Sequence, residues 1–386
     1  MTRHQVGTPI VYADGPASAR LSPATVLQAA GLTGAADVMM GWTVERHPWI
    51  DDPLFRGSTV LAGYGLAGAV NEGRVTALPV RLSAVAPLLV DDPPAIGVIA
   101  VVRRHDGFAF GGAVGWGDVL ARVAGRVVLE VDEHGHDLGG PAVHGNIVAV
   151  LPRPPAATAA SATSRPADAV DLQIGASVAS LVPDDATLQF GPGGIGEGIA
   201  TALTRPVRIW SGLCTDSMAA LHDRGLLAAP AVAAYTWGGQ PIRSLAAAGM
   251  LELTSTTVTH DLSRLSQIPR FVGCNTALQV GLDGSVNVER VGSRVIAAVG
   301  GHSDFCTGAS RSPGGLSIIA VRSTTASGAS TIVGRVDVVS TQRSDIDVVV
   351  TEHGVADLRG ATDDQRADRL IAIAAPQHRS LLASRR

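Results

Sequence analysis

Apolar positions in this chain gather into short unbroken runs rather than alternating with polar ones. Ile96-Gly97-Val98-Ile99-Ala100-Val101-Val102 and Arg126-Val127-Val128-Leu129-Glu130-Val131 are such runs in the first half. Ala186 to Phe190, Val207 to Trp210, Ser317 to Val321, Ser330 to Val333 and Asp345 to Val350 are others in the second. A β-branched run without polar alternation predicts a strand buried on both faces. Between the runs lie Gly-rich turns and Ala/Leu-rich stretches; Ile195 to Leu203 and Ser217 to Leu227 predict helices, as do Asp363 to Ala374 and the residues after Pro376. Strand followed by helix, repeated, is the order of an α/β protein whose parallel or mixed sheet is covered on both faces.

One segment breaks the pattern. From Pro152 to Ala169 the chain is mostly Pro, Ala, Ser and Thr with no apolar period, the composition of a linker. Two open α/β domains are therefore expected, residues 1–152 and 170–386, joined by residues 153–169.

Composition narrows the function. The 386 residues are 46% hydrophobic and 17% charged, enough to bury a large core and consistent with two domains. The formal charge of -4 and the absence of a long basic run exclude an electrostatic footprint for nucleic acid or an acidic membrane. The opening Met1 to Pro9 lacks the organisation of a secretion signal, and no stretch stays apolar long enough to span a bilayer, so a cytoplasmic location is expected. Cys214, Cys274 and Cys306 are widely spaced and odd in number, which predicts reduced thiols and no zinc site. Every positive side chain is arginine, since the chain has no lysine. Schiff-base catalysis, pyridoxal phosphate attachment and a P-loop each lose their central residue, and phosphate contacts fall to Arg, hydroxyls or backbone N–H groups.

Four segments hold the candidate chemistry. Phe190-Gly191-Pro192-Gly193-Gly194-Ile195-Gly196-Glu197 joins a predicted strand to a predicted helix, where glycines let the backbone approach a ligand and free N–H groups attract an anion. A tight connection without a ligand uses the same residues, and the dinucleotide fingerprint is broken by Pro192. Gly300-Gly301-His302-Ser303-Asp304-Phe305 is a second Gly-rich turn able to present N–H groups to a carbonyl, with Asp304 fixing the loop and His302 a candidate base or a hydrogen-bonded loop histidine. Asn275 to Val280 and Thr351 to Gly360 complete the set; Glu352, Asp357 and Arg359 in the last read as an ion-pair network.

In combination these segments resemble the acetyl-CoA hydrolase/transferase family of CoA-transferases. The resemblance is carried from about residue 170 onward by Leu188 to Ile195, Ile268 to Val272, Asn275 to Asn287, Gly300 to Phe305, Ser312 to Ile319 and Thr351 to Gly360, which keep the family's order and spacing. Ala62 to Ala67 and Gly73 to Ser83 are similar to a shortened amino-terminal half. The resemblance implies two domains of the CoA-transferase (NagB/RpiA-like) fold holding a thioester, coenzyme A as substrate with no tightly bound cofactor or metal, and a homodimer. It also implies oxyanion donors at Gly300, Gly301 and Gly65, a CoA channel lined by Gly191, Gly193, Gly194, Asn275 and Asp304, and an acyl-CoA with a small carboxylate as partners.

The nucleophile does not carry over. Family members attack the thioester with a glutamate, and counting along Arg208-Ile209-Trp210-Ser211-Gly212-Leu213-Cys214-Thr215-Asp216 puts Gly212 at its position. Gln279 and Gly281 also stand where relatives often have Glu and Asp. Without a carboxylate the covalent route is closed, while oxyanion donors worth about 3 kcal/mol each can persist. Glu197, His302 and Asp216 are then the candidate bases for direct hydrolysis or a lyase-like step, and Cys214 is a displaced nucleophile or a packing residue. A CoA-thioester-binding pseudoenzyme or subunit is the alternative; a sugar-phosphate isomerase rests on fold analogy alone.

Overall fold

The computed structural model describes residues 7–155 and 166–385, so residues 156–165 of the expected linker lie outside the described residues. By its internal contacts the chain forms two units. The first comprises Met1–Ala162 with Val232–Thr259 and Val295–Gly300; the second comprises Thr163–Ala231, His260–Arg294 and Gly301–Arg386.

The first unit is built on strands β1 (Thr8–Tyr12), β2 (Ala36–Met40), β3 (Phe55–Thr59), β4 (Val75–Ala77), β5 (Ile96–Arg104), β6 (Gly107–Ala109), β7 (Arg126–Val131) and β8 (Ile147–Pro152). Their order is β4-β3-β2-β1-β5-β7-β8, all parallel, with β6 antiparallel beside β5. The apolar run of β5 is buried on both sides, as its lack of alternation predicts. Ile10, Val38, Ile96, Val98 and Val128 sit in one core with Val26 and Leu27. Those last two belong to helix α1 (Pro23–Ala29), which Ser22 caps from outside and Pro23 starts.

The second unit has strands β9 (Thr187–Phe190), β10 (Arg208–Thr215), β11 (Phe271–Asn275), β12 (Leu316–Ala320), β13 (Val348–Thr351) and β14 (Gly354–Asp357). They run β10-β9-β11-β12-β13-β14, parallel until the last antiparallel pair. Helices α2 (Ala169–Leu181), α3 (Gly194–Ala202), α4 (Asp216–Asp223), α5 (Leu262–Gln267), α6 (His302–Arg311), α7 (Asp363–Ile373) and α8 (Pro376–Ala383) belong to the same unit. The α/β class expected from the apolar runs is what both units show.

Three elements differ from the sequence pattern, each for a local reason. Helix α4 stops at Asp223 rather than Leu227 because Gly225 takes a φ of 67°. Its N–H then reaches the His222 carbonyl and Leu226 N–H the Leu221 carbonyl, a glycine-terminated cap. The strand expected to end at Trp210 runs on to Thr215, so Gly212 lies inside a strand. Of Ser330 to Val333, Ile332 and Val333 form a two-residue strand in a small sheet with Gln279–Gly281, while Ser330 makes only an isolated bridge with Thr324.

Candidate functional site

In the second unit β9 lies between β10, which follows it in the chain, and β11, which the chain reaches only later, so the order of strands reverses there. A parallel sheet opens a crevice at the carboxyl ends of its strands at such a reversal. At those ends lie the Gly191 turn after β9, the start of α4 after β10 and Asn275, the last residue of β11.

The Gly191 turn ends at Gly193, whose φ of 105° favours glycine and which is the residue before α3. Gly191 and Gly193 border open space, whereas a β-carbon on Gly194 would fall on the Asp171 carboxylate. Asp171 is buried against α3 and ion-paired to Arg322 at 2.7 Å. Packing therefore accounts for the glycine at 194, and of the three only Gly191 and Gly193 border open space. Glu197, in the first turn of α3, accepts the Ala167 N–H at 3.0 Å. Asn275, ending β11, accepts from Gln189 Nε2 at 3.4 Å and donates to Cys306 Sγ at 3.6 Å. Asp216 opens α4 and is half-buried.

His302 opens α6 with both ring nitrogens engaged. Nδ1 lies 2.9 Å from the Thr341 hydroxyl and Nε2 lies 3.1 Å from the Thr276 carbonyl, which can only accept, so the proton sits on Nε2. Burial lowers its pKa to about 4, so the ring is neutral at physiological pH. Cys306 Sγ stands 3.7 Å from Nδ1, which joins His302 to Asn275 through one thiol. Asp304 is fully buried in the first turn of α6. Cys214 is also fully buried, and burial raises its thiol to about 12, which leaves it protonated and a poor nucleophile.

The residue that the sequence reading did not find is His260. Its imidazole is 1% exposed and lies between Gly212 of β10 and Gly301 before α6. A β-carbon on Gly212 would stand 3.1 Å from His260 Cε1 and Nε2 and 3.4 Å from Phe305 Cε2. One on Gly301 would fall on His260 Nε2 and stand 2.6 Å from Cδ2. Phe305 holds the imidazole from the side, ring centroids 4.7 Å apart. Burial lowers the His260 pKa to about 3. Gly212 has no positive φ; the glycine is matched to a close side chain rather than to an unusual backbone. No sequence signal marks His260, which sits in Thr259-His260-Asp261 just ahead of α5.

Within the second unit the structure thus gathers Gly212, Gly301 and Phe305 around His260, and His302 and Asn275 around Cys306. The contact of Glu197 is with Ala167. In the first unit Gly65 donates its N–H to the Thr43 carbonyl at 3.1 Å, and its missing β-carbon leaves room for the Glu45 backbone. Gly300, at a φ of 55°, accepts the Leu82 N–H at 3.0 Å and bridges Arg81.

Residues 243–385 match the family model of the acetyl-CoA hydrolase/transferase C-terminal domain. The 4-hydroxybutyrate coenzyme A transferase of Clostridium kluyveri is 29% identical over 348 residues, 85% of this chain and 81% of that protein. Residues 243–385 therefore carry the C-terminal domain of the acetyl-CoA hydrolase/transferase family. Among solved structures, the 4-hydroxybutyrate CoA-transferase of Porphyromonas gingivalis superposes with a TM-score of 0.74 at 25% identity, covering 98% of this chain and 92% of that one. RipA of Yersinia pestis superposes with a TM-score of 0.83 at 23% identity over 98% and 93% of the two chains, a likeness of fold. Among the described residues no helix is long and apolar enough to cross a membrane.

Proposed function

We propose that this protein acts on acyl-CoA thioesters without forming an acyl-enzyme, hydrolysis being the simplest such reaction. Water attacks the thioester carbonyl, the carbon–sulfur bond breaks, and the proton lost by the water passes to the departing thiolate, giving a free acid and CoA. The observation that carries this reading is Gly212. The residue counted as the family's nucleophile has no side chain, and a neutral imidazole rather than a carboxylate fills the space beside it.

Backbone donors still favour acyl chemistry, since N–H groups aimed at a developing oxyanion act without a nucleophilic side chain. The N–H of Gly301 keeps that role in the proposal, whereas Gly65 has its N–H on Thr43. Among the candidate bases, His302 has its Nε2 proton directed at Thr276 and Nδ1 on Thr341. Glu197 and Asp216, carboxylates at two helix starts on the same sheet edge, are therefore the bases this reading favours. Asn275 and the Gly191 to Gly193 turn would receive CoA, Asp304 would hold the α6 start, and the protein would work as a cytoplasmic homodimer.

The test is thiol release from a panel of acyl-CoAs by purified protein, with trapping by borohydride or hydroxylamine followed by mass spectrometry. Turnover without a modified glutamate is expected. Thermal shift with CoA esters but no thiol release would favour a binding subunit. A CoA thioester on any glutamate would overturn the reading.

A further inference from the structure

The missing side chain at 212 and the histidine beside it form one steric unit, and the partners differ in how much they can yield. Toward a β-carbon on Gly212, Phe305 stands at an ordinary van der Waals distance of 3.4 Å, while two His260 ring atoms stand at 3.1 Å, closer than packed carbons settle. The imidazole has little room to move away. It is buried, Gly301 lies so close that a methyl group there would overlap Nε2, and the Phe305 ring is tilted 49° against it.

We infer that His260 is the residue that excludes a side chain from position 212, so that the covalent route is closed twice, by the glycine and by the imidazole over it. The steric half stands on the geometry alone; its link to CoA transfer rests on the reading that position 212 is the nucleophile's. Replacing Gly212 by glutamate would then not rebuild a transferase, because the carboxylate would meet an occupied site. Vacating the site at the same time would.

A four-protein cycle tests both halves: the natural chain, Gly212→Glu, His260→Ala and the double variant. The first readout is melting temperature. Gly212→Glu should lower it by about 2–4 °C or more in the natural background and by less than half as much when His260 is alanine. Equal losses in the two backgrounds would overturn the inference. Should the larger side chain prevent folding, Gly212→Ala with and without His260→Ala gives the same comparison with a single methyl group. The second readout is CoA transfer from an acyl-CoA to acetate, with mass-spectrometric trapping on the introduced glutamate. Transfer and an adduct are expected in the double variant and in neither single one. Transfer as fast in Gly212→Glu alone as in the double variant would overturn the inference while leaving the register of position 212 intact. Coupled melting temperatures without any adduct would keep the steric exclusion and refute the register.

Discussion

Gly301 and Gly191 respond oppositely to an added methyl group, although both belong to Gly-rich turns that look alike in the sequence. At Gly301 the methyl would overlap His260 Nε2 and approach Phe305 Cε2 to 3.2 Å, whereas at Gly191 nothing lies within 4 Å. Overpacking a buried site costs about 1–3 kcal/mol, and a substitution into open space changes stability by about 0.5 kcal/mol at most. Gly301→Ala should therefore lower the urea midpoint clearly and Gly191→Ala hardly at all; the reverse order would mean that His260 does not pack on Gly301. Gly191→Ala should instead weaken CoA binding if that turn receives the ligand, which titration calorimetry would read. Of the residues gathered around His260 and Cys306, Asn275 and Gly301 were legible in the sequence because a motif carried them. His260 was not legible, because what singles it out is contact with two glycines remote from it in sequence.

At the scale of elements, the strands were the most readable feature, since a run buried on both faces cannot alternate. Their ends were less so: β10 continues through Gly212 because a buried strand tolerates a glycine where the His260 ring would crowd a side chain. Helix starts depend on single polar groups. Asp168 caps α2 by accepting the N–H groups of Val170 and Asp171, in a capping box with Asp171, and pairs with Arg322 at 2.6 Å. Thr362 caps α7 in a second capping box with Gln365. Removing such a cap costs roughly 0.5–2 kcal/mol. Asp168→Ala should sit at the upper end, because Arg322 then keeps only Asp171, and Thr362→Ala nearer the middle. Denaturant midpoints at low and high salt separate the two contributions: the Asp168 loss should shrink with salt as its ionic part is screened, and a loss that ignores salt would assign all of it to the cap.

For the molecule as a whole, the two units carry different titrating groups and hence different responses to acid. The returns of Val232–Thr259 and Val295–Gly300 to the first unit leave no mark in composition, so this distribution was not readable from sequence. In the second unit His260 and His302 are lowered to about 3 and about 4 by burial. A histidine depressed in the folded state contributes stability above its unfolded value near 6.5, and that contribution is lost as pH falls through the folded value. In the first unit burial lowers His47 to about 4 but raises Asp14 to about 7, against a Tyr235 hydroxyl at 2.6 Å. A raised carboxyl acts in the opposite sense, its contribution present in acid and lost as pH rises toward 7. Between pH 6.5 and 4 the first unit thus takes up about as many protons folded as unfolded, while the second takes up fewer when folded, at roughly 1.4 kcal/mol per pH unit for each proton of difference. Burial also raises Glu130 in the first unit and Asp347 in the second, which trims both trends alike. Probes for each unit are built into the chain. Trp42, Trp49, Trp116 and Trp237 lie in the first unit with only Trp210 in the second, and the three buried thiols, Cys214, Cys274 and Cys306, all lie in the second. Urea titrations at a series of pH values, followed by tryptophan fluorescence and by pulse labelling with a pyridyl disulfide that reacts in acid, should show the thiol midpoint falling more steeply than the tryptophan midpoint below pH 6.5. His260→Ala should flatten the thiol curve and leave the tryptophan curve unchanged. Curves that fall in parallel with and without His260 would mean that its ring is not held neutral by burial.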